Sequence, residues 1–145
     1  MGDFATIQSV TDNIESVLKS LGIHFDRAVY ETDADIPASL LPYGRIFYEG
    51  EIFEELSGER PSYIEANFTI RVTIGERDRR QMMMELQRWV HLVRDGLTVS
   101  ALNIGDLASS KLISRVITEN ATTEVINNES VASVVYKLRI RYREA

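Results

Sequence analysis

Few side chains in this sequence could carry out acid–base or metal chemistry. The two histidines, His24 and His91, stand isolated along the chain, and there is no cysteine. Protein zinc sites are built from clustered histidine, cysteine and carboxylate ligands. The sequence therefore predicts no metal site, and it favours structural or surface roles for both histidines.

Four glutamates, Glu49, Glu51, Glu54 and Glu55, resemble at first sight the paired carboxylates of acid–base catalysis. They fall on both faces of a predicted strand, because successive side chains in a strand point to opposite sides. The sequence contains no phosphate-binding glycine loop, no GxGxxG and no GxSxG. We therefore expect no catalytic residue, no bound cofactor and no enzyme activity.

The composition is that of a globular domain. The chain has 145 residues, 44% of them hydrophobic, and a net charge of −6 at pH 7, which argues against general nucleic-acid binding. The stretch MGDFATIQSV has neither the basic residues nor the apolar run of a signal peptide, and no stretch approaches the roughly 20 apolar residues of a membrane span. We expect a single domain over residues 1–145.

Apolar residues at helical spacing predict two amphipathic helices, over residues 4–21 and 76–95. Met83 and Met84 extend the apolar surface of the second helix beyond a single stripe. They indicate either a helix that is covered on two sides or adaptable filling of the core.

Alternating apolar and polar residues predict four strands, over residues 45–56, 62–74, 112–125 and from 131 onward. Turns at residues 57–61 and 127–129 would join them as two hairpins. The predicted fold is a single α+β domain in the order α-β-β-α-β-β, with an antiparallel four-stranded sheet and two helices packed on one face. The last strand is either central in that sheet or an arm offered to another subunit.

A long loop over residues 31–44 precedes the first strand. It is longer than the usual connection, and such loops tend to be functional or to reach a partner. Its apolar residues Ile36, Leu40 and Leu41 would either cap the domain's own core or bury against a neighbouring subunit. We include these three residues in the predicted subunit interface.

Charged outer faces of the long strands supply the rest of that predicted interface. The acidic residues at 49–59, which include Glu49 and Glu51, lie on the first predicted strand and the turn after it. One interpretation is a solvated sheet face whose cross-strand pairs within the chain contribute roughly 0.2–1 kcal/mol each. The other is that the basic strand face of one copy meets the acidic hairpin of the next, so that copies join head to tail and close a ring. We favour this interpretation because long strand edges need protection. The basic residues that share one strand face are Arg71, Lys137, Arg139 and Arg141.

In its length and order of elements the chain resembles the tail terminator, or tail completion, proteins of long-tailed bacteriophages. The resemblance covers essentially the whole chain and lies in the stretches FATIQSVTDNIESVLKSLG, GERDRRQMMMELQRWVHLVRDGLTV and VASVVYKLRIRYRE. It consists of patterns and element order rather than an invariant motif. Members of that family form hexameric rings that cap the tail tube, end its polymerisation and form the surface that joins the head.

The resemblance implies a structural protein of the virion tail or neck, made in the cytoplasm of a host bacterium, without catalysis, cofactor or membrane contact. Its partners would be further copies of itself, the tail tube protein and head–tail connector proteins. DNA would pass through the ring without sequence-specific binding, and an acid-lined channel agrees with the net charge of −6. Two alternatives stay open: another neck or tube component of a phage, and a small ligand-binding or regulatory α+β domain that dimerises through its sheet.

Overall fold

The computed structural model describes residues 3–54, 63–109, 111–125 and 130–143. Both predicted turns, at 57–61 and 127–129, lie outside the described residues. A single helical turn, α3 (Val99–Leu102), follows the second long helix. The order α-β-β-α-β-β and the α+β class are confirmed. The long elements are α1 (Asp3–Ser20), β1 (Tyr43–Glu54), β2 (Tyr63–Gly75), α2 (Arg79–Gly96), β3 (Ile113–Val125) and β4 (Val131–Tyr142).

The four strands form one antiparallel sheet in the order β1-β2-β4-β3. β4 therefore lies inside the sheet, paired with β2 on one side and with β3 on the other. Its alternation places Tyr136, Leu138 and Ile140 on one buried face, because side chains two residues apart point the same way. Of the two roles predicted for this strand, the central one is confirmed.

Both long helices pack on one face of the sheet, which we call the helix face, as predicted. Burying apolar side chains between the helices and this face is the main stabilising contribution to such a fold. The hydroxyl of Tyr136 donates a hydrogen bond of 2.6 Å to the carbonyl of Trp89 and so ties α2 to the centre of the sheet. The helix residues at the centre of the core are Val10, Ile14, Leu18, Leu86, Trp89 and Val93.

α2 begins at Arg79 rather than at the predicted residue 76. The carboxylate of Asp78 accepts hydrogen bonds from the backbone amides of Arg80 and Gln81, at 2.9 and 3.0 Å. Asp78 is therefore the N-cap, a position at which aspartate satisfies amides that have no partner inside the helix.

β1 begins at Tyr43, so the loop predicted over residues 31–44 ends at Pro42; the predicted boundary is corrected by two residues. Tyr43 pairs with Thr73 on β2, and the amide of Gly44 donates a hydrogen bond of 2.8 Å to the carbonyl of His24. The stretch around His24 thus covers the first residues of β1, which a sequence pattern alone does not reveal.

Candidate subunit interface

The sheet face opposite the helices, which we call the open face, carries the predicted basic residues. The register of β2 with β4 sets Thr69 beside Lys137 and Asn67 beside Arg139, and side chains two residues apart share a face. The alternation in the sequence therefore predicted this grouping. The residues that it brings together are Arg71, Lys137, Arg139 and Arg141.

Acidic side chains of the same protomer pair with Arg139. The carboxylate of Glu65 lies 3.7 Å from the guanidinium groups of both Arg115 and Arg139. Arg139 also lies 3.7 Å from the carboxylate of Glu119. Such partly exposed pairs contribute at most about 1 kcal/mol each. Their main effect is to balance the charge of Arg139 within the chain.

The cationic groups of Arg141 and Lys137 have different partners within the protomer. The guanidinium of Arg141 lies over the ring of Tyr63, 4.2 Å from the ring centroid, which is a cation–π contact. The ammonium group of Lys137 donates a hydrogen bond of 3.3 Å to the hydroxyl of Thr69. Across the described parts of the chain Lys137 has no carboxylate partner. Lys137 is therefore the basic residue of this face most open to a charged partner.

Asp33 fastens the loop before β1 onto one end of the open face. The residue is only 5% exposed. Its carboxylate accepts hydrogen bonds from Arg71 on β2 (3.0 Å), from Ser133 on β4 (2.7 Å) and from Arg45 on β1. Burial raises the pKa of this carboxyl, but the hydrogen bonds from Arg71, Ser133 and Arg45 outweigh burial and hold the pKa well below its usual range. One carboxylate thus links the loop to three strands.

Arg71 is committed to contacts within the protomer. Besides Asp33, it lies 2.8 Å from the carboxylate of Glu124 on β3. The hydrogen bond to Asp33 raises the pKa of Arg71, although burial acts in the opposite direction. Arg71 therefore joins Asp33 of the loop to Glu124 of β3 within the protomer.

The three apolar residues of the loop divide between the two predicted roles. Ile36 is buried within the protomer, at 5% exposed, whereas Leu40 and Leu41 are only partly buried. A Cβ added to Gly75 would lie 2.8 Å from Cδ1 of Leu41, so this leucine packs against the end of β2. Ile36 caps the protomer's own fold, and the outer surfaces of Leu40 and Leu41 stay candidates for a neighbour.

Glu49 and Glu51 flank a bulge in β1. The register with β2 shifts between Tyr48 and Glu51, and Gly50 has a φ of +104°, which favours glycine. The bulge brings Glu51 onto the helix face, where its carboxylate accepts hydrogen bonds from the hydroxyls of Tyr48 and Tyr142. Glu49 is exposed, and Glu55 lies outside the described residues. Glu51 therefore does not share the open face with the basic residues.

From Phe47 onward, β1 exposes apolar side chains that were not among the predicted interface residues. Phe47, Tyr48, Ile52 and Phe53 are 45%, 53%, 57% and 57% exposed. Phe47 and Ile52 lie on the open face, and Tyr48 and Phe53 lie on the helix face. The stretch RIFYEGEIFEEL contained the signal, because a half-buried strand would alternate. Adjacent exposed apolar residues mark interaction sites.

This apolar surface continues into a groove between β1 and the first half of α1, which we call the β1–α1 groove. It has a volume of about 580 Å³. Phe4, on its α1 side, is 73% exposed. Among the described residues, the charged side chains that line it are two carboxylates, Asp12 and Glu51. The larger apolar side chains that line it are Phe4, Ile7, Tyr48, Phe53, Ile64 and Tyr142.

A second exposed apolar surface lies on α2. Met82 is buried, whereas Met83 and Met84 are 56% and 53% exposed. We call Met83 and Met84 the methionine patch. Because these two side chains face away from the core, core filling is excluded for them, and a second covered side of the helix stays a prediction.

The described residues hold no group of three histidine, cysteine, aspartate or glutamate side chains that could bind a metal ion. The Nδ1 atom of His24 lies 3.1 Å from the carbonyl of Leu40, and His91 is exposed on α2. Of the helices that the structure describes, none is long and apolar enough to cross a membrane.

Comparison with known proteins finds no family that matches the chain and no significantly similar curated protein. The geometry of the site is therefore the guide to what it can do. Exposed apolar side chains around a groove, with carboxylates at the edge, suit contact with another protein surface.

Proposed function

We propose that this chain is a structural protein of a bacteriophage virion that assembles into a ring, of six copies, on the end of the tail tube. There it ends tube polymerisation and forms the surface to which the head joins. The observation that carries the proposal is the pair of unlike apolar surfaces on one protomer, the β1–α1 groove and the methionine patch. Unlike surfaces join copies head to tail, and such contacts close into rings when the rotation allows.

The fold supports the proposal to a limited degree. The order α-β-β-α-β-β agrees with the resemblance to tail terminator proteins, but one fold hosts many functions. In the proposed role the protein is non-enzymatic, is made in the host bacterial cytoplasm and works in the virion. Its partners are its own copies, the tail tube protein and head–tail connector proteins, and DNA passes through the ring without being read.

A second candidate function is binding of a small apolar ligand by a dimer. The β1–α1 groove, at about 580 Å³, falls within the roughly 300–1,000 Å³ of typical ligand sites. A ligand-binding protein of this kind would be a dimer in solution, whereas the ring proposal expects a hexamer.

Measuring the mass of the purified chain by sedimentation, together with electron micrographs, separates the two functions. The ring proposal expects a hexamer that appears as rings, or a monomer that becomes hexameric when tail tubes are added. A stable dimer carrying a bound small molecule would contradict it and favour the second candidate.

A charged residue in the exposed part of β1 tests whether that surface joins copies. We expect Phe53→Asp to weaken association by about 2 kcal/mol or more, the loss typical of a central interface residue. Val125→Asp, at 58% exposed against 57% for Phe53, is the matched control on β3. Circular dichroism checks that both variants fold. Equal association of the two variants would show that the helix-face surface around Phe53 is not an interface.

A further inference from the structure

The methionine patch has two basic neighbours, Arg79 and Arg80, on the first turn of α2. Arg80 lies one helical turn before Met83 and Met84, and Arg79 precedes it. Both arginines are exposed, and neither forms an ion pair with any residue that the structure describes. The carboxylate of the N-cap Asp78 hydrogen-bonds backbone amides of this helix end, not the two arginine side chains. The guanidinium groups of Arg79 and Arg80 are therefore open to an acidic partner on another surface.

The β1–α1 groove has the complementary character. Its exposed apolar side chains include Phe4 and Phe53, and the charged side chains that line it, among the described residues, are both acidic. Glu51 is occupied by its two tyrosine partners. Asp12 is exposed on α1 and forms no ion pair within the described ranges. The groove therefore offers an apolar floor with an available carboxylate at its edge.

The two surfaces also match in the kind of contact that they can make. Methionine side chains are unbranched and flexible, and their sulfur atoms pack favourably on aromatic rings. Four aromatic residues, Phe4, Tyr48, Phe53 and Tyr142, line the groove. Met83 and Met84 remain more than half exposed in the protomer, so the groove of the same chain does not cover them. The matching occupant is a second copy.

We infer that the methionine patch of one copy docks in the β1–α1 groove of the next copy, with Arg80 facing Asp12. The inference rests on the proposed function, because it names the two surfaces through which the copies join. The contact is head to tail, so each copy uses its patch on one neighbour and its groove on the other.

Disulfide trapping tests this contact directly, since the chain has no cysteine of its own. Full-length Met84→Cys and Gln8→Cys variants are mixed and oxidised; Gln8 lines the groove. We expect a disulfide-linked dimer, and the double variant should form a ladder of linked copies. Mixing Met84→Cys with Val125→Cys is the control, because Val125 is similarly exposed but lies on β3.

Charge exchange provides a second test. We expect Arg80→Glu and Asp12→Arg each to raise the concentration at half assembly at least about tenfold, because like charges would then meet. Combining the two changes in one chain should restore assembly, since the charges are exchanged. Arg27→Glu, an equal change of charge at an exposed position before β1, should leave assembly unaltered.

If the chain forms rings but the Met84→Cys and Gln8→Cys variants do not cross-link on oxidation, the docking is overturned and the proposed function stands. The same holds if rings tolerate Arg80→Glu as well as they tolerate Arg27→Glu. A stable dimer with a bound small molecule would instead overturn the proposed function, and the docking with it. Trapping captures short-lived encounters too, so absence of the disulfide counts against the docking even if the purified protein is a monomer.

Discussion

Asp33 is distinguished from its neighbour Asp35 only by the folded structure. Both belong to the acidic loop stretch ETDADIP. Asp33 is 5% exposed, whereas Asp35 is exposed. The partners of Asp33 are Arg45, Arg71 and Ser133, which lie 12, 38 and 100 residues away along the chain. Local sequence therefore cannot single out this carboxylate, because its role comes from strands that pairing brings together later.

We expect Asp33→Asn to lower the free energy of unfolding by about 3 kcal/mol, since breaking a buried ion pair leaves the remaining charges without compensation. Asp35→Asn is the control, because an amide oxygen can still accept the hydrogen bond from the Thr32 amide. We expect that change to cost about 0.5 kcal/mol or less. Urea unfolding at pH 7 measures both, and equal losses would show that Asp33 is not a special contact.

The lowered pKa of Asp33 also predicts a dependence of stability on pH. Its pKa lies below that of an unfolded aspartate, which is about 3.9, so its stabilisation is complete well above pH 4 and is lost as the pH falls below it. The difference in unfolding free energy between the unmodified protein and Asp33→Asn should therefore shrink between pH 6 and pH 3. A constant or growing difference would contradict the lowered pKa.

Among the elements, the regular ones were predictable and β1 was not. The clean alternation of β2 and β4 and the helical spacing of α1 and α2 predicted their type and buried faces, because a single face of each is apolar. β1 has neither a single apolar face nor an unbroken alternation. Its apolar residues lie on two faces, and the bulge at Gly50 changes which face follows. The pattern predicted a strand there but neither its exposed surface nor its start.

Packing of β1 against the preceding segment depends on Gly44. A Cβ at this position would lie 2.7 Å from Cγ2 of Ile23 and would also collide with the ring of Phe25. We expect Gly44→Ala to destabilise the protein by about 1–3 kcal/mol through overpacking. Thermal unfolding measures the loss.

Gly96→Ala is the matched control for Gly44→Ala. Its Cβ would lie 3.2 Å from a terminal methyl group of Leu21, a flexible side chain that can move aside. We expect a change of about 1 kcal/mol or less. If both substitutions cost the same, the contact of Gly44 with Ile23 and Phe25 would not be the cause of the loss.

For the whole molecule, the sequence predicted the fold and a charged strand face but not how that face is used. The alternation of β2 and β4 placed Arg71, Lys137 and Arg139 together correctly. It could not show that Asp33, Glu65 and Glu119 would pair with them, because those partners lie in other elements. The predicted contacts of this face with a neighbour stay a prediction. The exposed apolar side chains of β1 lie on both faces of the sheet, and the β1–α1 groove lies on the helix face.

Lys137→Glu tests whether the open face joins copies. Because the only polar partner of the Lys137 ammonium among the described residues is the Thr69 hydroxyl, the change should alter the free energy of unfolding by no more than about 0.5 kcal/mol. If copies join through the methionine patch and the β1–α1 groove alone, ring mass should be unaltered, since Lys137 belongs to neither surface. Loss of rings in a folded Lys137→Glu variant would support the predicted interface on the open face.

Arg139→Glu is an unsuitable replacement for that test, although the sequence treats the two basic residues alike. A glutamate there would face Glu65 and Glu119, and like charges would destabilise the fold by about 1 kcal/mol. A loss of assembly in that variant would reflect folding rather than contact, and urea unfolding distinguishes the two effects.

The central position of β4 has a consequence for when newly made copies can begin to assemble. Of the four strands of the sheet, β4 is synthesised last, and contacts such as that between Lys137 and Thr69 join positions 68 residues apart. Pairing between such distant segments forms slowly. Tyr142 of β4 also lines the β1–α1 groove, so the groove is incomplete until this strand has been inserted. In the proposed ring, a nascent chain therefore cannot receive a neighbour in its groove, and only copies that have finished folding are recruited.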